Sequence, residues 1–190
     1  MHTIDINLQQ QWLKRYYALR AAFSLAWVAA AFGLGLHDTL IAAVLLVLYP
    51  AWDAIANYVD ARRSGGLARN KPQAINVALS VITTAAVLVA VRGGLSAVLG
   101  VYGVWAIGSG VLQLRAAIDR RKQFGGQWAM ILSGAQSALA GAFFLHLSRT
   151  AGTASIANLA GYAGMGAVYF LVSAVWLALR DRRAASIGRR

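Results

Sequence analysis

The chain has 190 residues, of which 59% are hydrophobic and only 13% are charged, against about 25% charged in a soluble domain. It carries a formal net charge of +12, with 18 Lys and Arg against 6 acidic residues, all of them Asp. The absence of Cys excludes a disulfide framework, a thiol nucleophile and a Cys-based metal site. The basic residues flank long apolar runs, a pattern of membrane insertion and not of nucleic-acid binding.

Residues 1–19 read as a cytoplasmic amphipathic segment. Within LQQQWLKRYYAL, Leu8, Trp12, Tyr16 and Leu19 fall on one face, flanked by Lys14 and Arg15, which suits a short helix on the cytoplasmic surface or a cytoplasmic extension of the first membrane helix. Six apolar runs follow, at about 20–36, 39–59, 73–91, 95–115, 127–147 and 155–179. A hydrocarbon core of about 30 Å needs roughly 20 such residues in a helix. Lipid offers the backbone no partners, so runs this long must be helices. The expected fold is an all-α membrane protein. Its six transmembrane helices over residues 20–183 form three parallel helical hairpins, about 20–59, 73–115 and 127–179. Residues 184–190 make a basic cytoplasmic tail.

The basic residues alternate by connection. Only Arg92 and Arg149 fall in the connections after the first helix of a hairpin; all the others precede the first helix or follow the second, fourth and sixth. The positive-inside rule then puts both termini in the cytoplasm. An Asp followed by an Arg pair closes each hairpin, in DARRSGG (60–66), AIDRRKQFGG (117–126) and DRRAASIG (181–188), at intervals of 59 and 62 residues. Arg62, Arg63, Arg120, Arg121, Arg182 and Arg183 are read as cytoplasmic anchors, complementing helix C-termini and anionic headgroups. Paired Gly residues offer a left-handed cap, and Pro72 suits a first helical turn.

A period of this size implies an internal repeat. Ser24, Ser80 and Ser133 recur in the first helices of the hairpins, and Trp52, Trp105 and Tyr169 in the second. These aromatics lie ten or eleven residues before the terminal Arg, about 15 Å at 1.5 Å per residue, so they belong near mid-membrane and pack between repeats. Small residues at Ala29/Gly33, Ser133/Ser137/Gly141 and Ala160/Gly164 provide close-packing faces.

Chemistry-bearing groups are few. No metal-ligand spacing, catalytic triad, phosphate loop or carboxylate pair stands out, so neither an enzymatic activity nor a cofactor is expected. Asp53 is the exception. It lies mid-span, where an ionised Asp costs roughly 2.5–3.5 kcal/mol on insertion scales. Pro50 just before it removes a donor for the Leu46 carbonyl, and Asn57 follows one turn on. Asp53 and Asn57 therefore form a candidate intramembrane polar site, with a proton or ion relay set against a helix that simply loosens at Pro50. At the outer end, His37 and His146 are candidate pH sensors, since histidine gains charge in the mildly acidic range. Two plain interfacial histidines would fit equally.

The stretches YGVWAIGSGVLQLRAAIDRR (102–121) and QWAMILSGAQSALAGAFFL (127–145) carry a family pattern. Through Trp105, Gly110, Arg115, Trp128, Ser133, Gly134 and Gly141 the chain resembles the HdeD family of acid-resistance membrane proteins, built from a short membrane repeat of otherwise undefined function. The likeness extends over about residues 20–183. WDAIANYV departs from it, placing Asp53 and Asn57 where the pattern is apolar or Gly. The resemblance implies a multi-pass protein of the bacterial inner membrane supporting acid or envelope stress resistance. Its expected partners are anionic headgroups and a second copy or another membrane protein, with no nucleic acid. A small ion or proton channel or transporter using Asp53 is the alternative.

Overall fold

The computed structural model describes residues 2–123, 127–150 and 152–187, and the side chains of those between 8 and 182. The described residues form six α-helices: α1 (His2–Ala30), α2 (Thr39–Arg63), α3 (Lys71–Ala90), α4 (Gly94–Arg120), α5 (Gln127–Leu147) and α6 (Ile156–Ile187). Five helical stretches are long and apolar enough to cross a membrane; one of them, Lys71–Arg120, contains both α3 and α4. This 50-residue stretch is no single rod. A 3-10 turn at Val91–Gly93 and Gly94 at φ 81, a value open chiefly to glycine, fold it back on itself. Trp105 of α4 thereby reaches Ser80 of α3.

Local chemistry sets the other ends. The Asp38 carboxylate caps α2, accepting the Leu40 and Ile41 N–H groups at 2.8 and 3.0 Å. At the end of α2, the Gly66 N–H donates to the Ala61 carbonyl at 2.8 Å across Gly65, whose φ is 97. Asn70 caps α3, and Pro72 occupies its first turn. The corresponding glycines 125, 126 and 188 lie outside the described residues.

Successive helices run antiparallel. Cross-helix bonds at Arg20–Asp53, Ser24–Tyr49, Asp60–Gln73, Gln113–Met130 and Ser137–Tyr162 fix this order. The termini are joined by α1 against α6, through Lys14–Asp181 at 2.6 Å and the stacked Tyr17 and Phe170 rings. Residues 8–19 are therefore no separate surface helix. They continue α1, and Leu13, Tyr16 and Tyr17 are buried against Phe170, Ala174 and Leu177. Of the face read as lying on the membrane surface, Trp12 and Tyr16 turn to α2, donating to Asp60 and Asn57, while Leu8 and Leu19 stay exposed.

The closest backbone approach is between α4 and α5. A Cβ on Gly110 would stand 2.7 Å from the Gly134 carbonyl oxygen, and one on Gly141 would stand 2.5 Å from that of Gly103. Only glycine at these crossings lets two helices touch backbone to backbone. Gly33, expected on a packing face, has nothing within 4 Å of a Cβ. The outward faces are apolar, with Leu40 and Leu139 each 73% exposed. The result is a helical membrane protein.

Candidate functional site: a polar column on the bundle axis

The repeat is visible as three contacts at equivalent positions. Ser24 of α1 meets the Tyr49 hydroxyl at 3.3 Å, Ser80 of α3 accepts the Trp105 indole N–H at 3.0 Å, and Ser137 of α5 meets the Tyr162 hydroxyl at 2.7 Å. Each pair spans 25 residues, and the pairs recur at intervals of 56 and 57. The structural register thus differs from the one read off the charged ends. Ser137 replaces Ser133, and the aromatics are Tyr49, Trp105 and Tyr162 in place of Trp52, Trp105 and Tyr169. Trp52 stacks on Phe23 at 4.5 Å within the first hairpin. The charged ends misled because the distance from the axial aromatic to the terminal Asp grows along the chain, from 11 residues (Tyr49 to Asp60) to 14 (Trp105 to Asp119) to 19 (Tyr162 to Asp181).

The three aromatics converge. Trp105 makes edge contacts with Tyr49 and Tyr162, at centroid distances of 6.0 and 6.4 Å. Helices α2, α4 and α6 therefore meet on an approximate threefold axis. Cavities follow this axis, and each is lined by equivalent positions of all three repeats. At the end holding the α1–α2 turn, a vestibule of about 350 Å³ is lined by Ala42, Val98 and Ser155, with His37 and Asp38 at its rim. Below it Leu46, Leu99, Tyr102 and Leu159 pack tightly, each no more than 2% exposed. The aromatic ring follows. Beneath the ring is a chamber of about 40 Å³ bordered by Arg20, Asn76 and Ser133 from the first helices and by Asp53, Ser109 and Gly166 from the second. A further chamber of about 30 Å³ is lined by Tyr17, Gln73 and Met130 and by Asn57, Gln113 and Phe170.

The geometry is close to threefold, but the chemistry is not. Only the first repeat places ions at the chamber. Asp53 is 5% exposed and pairs with the Arg20 guanidinium. It also accepts the Ser80 hydroxyl at 2.7 Å and the Asn57 amide at 2.8 Å. Asp53 and Asn57 do come together, as the sequence suggests, but Asp53 is no lone carboxyl. Arg20 donates to the Tyr16 hydroxyl at 3.0 Å and lies over the Phe170 ring at 4.4 Å. In the sequence Arg20 is only one of the basic residues that precede the first apolar run; only the register of α1 against α2 reveals its partner.

A second buried pair closes the column. Asp60 is 0% exposed and accepts Arg120 and Gln73, each at 2.6 Å, and the Trp12 indole at 3.2 Å. Arg120 was expected at the headgroups; it turns inward because a buried carboxylate needs a cation more than lipid does. Arg62 and Arg63 stay at the surface, over the Tyr58 and Trp12 rings at 5.9 and 5.0 Å. Arg121 and Arg182 are exposed, and the side chain of Arg183 lies outside the described residues. His37 and His146 are both exposed, on different elements. Three buried polar atoms have no partner among the described residues: the Trp52 indole nitrogen, Asn76 Oδ1 and Gln136 Oε1. Asn76 and Gln136 both border the 40 Å³ chamber.

Residues 76–146 match the family model described as a short repeat of unknown function (DUF308). The matched stretch runs through α3, α4 and α5 and includes the Ser80–Trp105 pair and both glycine crossings. No curated protein and no solved structure matches the chain.

Proposed function

We propose that this chain is a six-span, non-enzymatic protein of a bacterial inner membrane, with both termini cytoplasmic, that supports acid or envelope stress resistance as a structural or partner-binding component. The topology is supported by the alternation of basic residues and by the turn that folds the Lys71–Arg120 stretch into α3 and α4. The stress role rests on the resemblance of residues 102–145 to the HdeD family and on the repeat match over 76–146. One observation carries the structural reading: each interior carboxylate is held by an Arg, and each of these networks ties the first hairpin to the second. The surface residues Arg62, Arg63, Arg121 and Arg182 suit anionic headgroups, and the apolar outer faces leave room for a second copy or a membrane partner. The test is survival of a deletion strain after acid challenge, complemented by wild type or by the Arg20→Leu/Asp53→Leu double variant. Survival equal to wild type without the gene removes this reading.

A second reading, a proton or small-ion path using Asp53, is favoured by one feature: cavities stacked on a single axis with Asp53 beside the central one. Proteoliposome flux across a pH step, with wild type and Asp53→Asn compared, decides it. Flux in wild type that the variant lacks promotes this reading; no flux above empty vesicles removes it.

A further inference from the structure

The central chamber presents a chemistry that the ion pair alone does not explain. Asn76 is 5% exposed, and its Oδ1 has no hydrogen-bond partner among the described residues. Gln136 Oε1, on the neighbouring α5, is in the same state and borders the same space. Burying an amide oxygen unpaired costs about 1–3 kcal/mol. Two such atoms beside one cavity point to a ligand that donates hydrogen bonds. Arg20 and Asp53 already neutralise one another there, so the space calls for no net charge. Its volume of about 40 Å³ admits only a ligand of a few heavy atoms. A polar site that holds one water needs roughly 10–15 Å³ on this measure.

We infer that the chamber is a hydration site holding a small cluster of ordered water, continuous with water in the adjoining 30 Å³ chamber. The two spaces share Arg20, Asn76, Gln113 and Phe170, so water can pass from one set of amides to the other with small side-chain motions. The column is closed by packed apolar and aromatic side chains at one end and bordered by a single Arg at the other. Toward the vestibule it meets the Tyr49–Trp105–Tyr162 ring and then the packed Leu46, Leu99 and Leu159. Toward the opposite end it meets Arg120, a long side chain 17% exposed and paired with Asp60 at the edge of the inner chamber. The Arg20–Asp53 pair therefore exchanges water with the Arg120 end of the bundle and not with the vestibule. Under the proposed topology that end is cytoplasmic; the inference itself is tied to the Arg120 end, whichever compartment it faces.

Radiolytic hydroxyl-radical footprinting of the intact protein in nanodiscs tests the hydration. Tyrosines are compared with tyrosines, so intrinsic reactivity cancels. Tyr17, which lines the inner chamber and is 3% exposed, is expected to be modified about tenfold faster than Tyr102, 1% exposed among apolar side chains. The Asn76→Leu/Gln136→Leu variant should lose that excess while retaining the wild-type melting profile or better, because it removes the unpaired groups. Equal rates for Tyr17 and Tyr102 in wild type overturn the inference. Sidedness is read separately, and the chain's lack of Cys gives a clean background. Ser133→Cys reports the chamber to silver ion, and Gln123→Cys, in the exposed turn beside Arg120, reports its side of the membrane to an impermeant maleimide. Both thiols reacting from one side is the expected result. Ser133→Cys reacting from the side opposite to Gln123→Cys overturns the access route. Both reacting from the extracytoplasmic side leaves the chamber intact and refutes the proposed topology alone.

Discussion

The Tyr102 hydroxyl of α4 donates to the Leu46 carbonyl of α2 at 2.6 Å. That carbonyl has no helical partner, because the residue four positions on is Pro50. The neighbouring Leu45 carbonyl accepts the Trp27 indole N–H at 2.7 Å, so side chains from α1 and α4 both serve the backbone where Pro50 interrupts it. In a lipid environment no water is at hand to do so.

Tyr102→Phe keeps the ring and deletes the donor. It should destabilise the protein by about 1–2 kcal/mol, the loss of one interhelical hydrogen bond to an otherwise orphaned group. For a chain of this length that lowers Tm by roughly 2–4 °C per kcal/mol. Melting in mild detergent measures it, with Tyr58→Phe, a half-exposed surface ring, as control. An unchanged Tm would mean that water replaces the hydroxyl and that the region is not dry.

Much of this arrangement is legible in the sequence. Hydropathy locates the four middle helices to within about five residues, since bilayer thickness leaves little choice, but it misses the start of α1 and the end of α6, which run on through polar and charged residues. Pro50 announces a free carbonyl, and Asp53 announces an intramembrane site. The sequence does not say what satisfies them. Arg20, Tyr102 and Trp27 are ordinary residues in their own helices, and their roles arise only from how helices register across the bundle. The repeat was visible, but at the wrong offset, because the charged ends follow helix length while Ser24, Ser80 and Ser137 follow packing on the axis. Arg120 could have been suspected only from the need of a buried Asp60 for a cation.

The Arg20–Asp53 pair should behave as a unit. Arg20→Leu or Asp53→Leu alone leaves a buried charge uncompensated and should cost about 3–5 kcal/mol. The double variant removes both charges, so its loss should fall well below the sum of the singles, with a coupling of about 1–3 kcal/mol. A chemical-denaturation cycle of the four proteins measures this. Additive losses would show that the two side chains do not interact in the membrane.

The glycine crossings make the sharpest structural contrast. Gly110→Ala would push a methyl to 2.7 Å from the Gly134 carbonyl oxygen, which is backbone and cannot swing aside. Separation of α4 from α5 should destabilise by about 1–3 kcal/mol. Gly161→Ala, on an exposed face of α6 with nothing within 4 Å, should instead stabilise by up to about 1 kcal/mol through helix propensity. Melting temperatures of the two variants should move in opposite directions from wild type.

Equivalent positions in a threefold repeat would be expected to contribute equally, and Ser80 is where that expectation breaks. Its hydroxyl is fully buried, donates to Asp53 at 2.7 Å and accepts Trp105 Nε1 at 3.0 Å. Ser24 meets the Tyr49 hydroxyl, and Ser137 donates to the Ala106 carbonyl at 2.9 Å and accepts the Tyr162 hydroxyl; a tyrosine hydroxyl can rotate and act as donor or acceptor elsewhere. An indole N–H can only donate, so Ser80→Ala strands Trp105 and removes a donor from the carboxylate as well. The expected loss is about 2–3 kcal/mol for Ser80→Ala against about 1 kcal/mol for Ser24→Ala or Ser137→Ala. Ser80→Thr, which keeps the hydroxyl, should recover part of the difference. Measured side by side under one detergent condition, an equal loss at all three serines would mean that the axis is held by packing alone. A dominant loss at Ser80 means that the first repeat's ion pair is anchored through the second, and that the asymmetry in chemistry is what ties these two hairpins together.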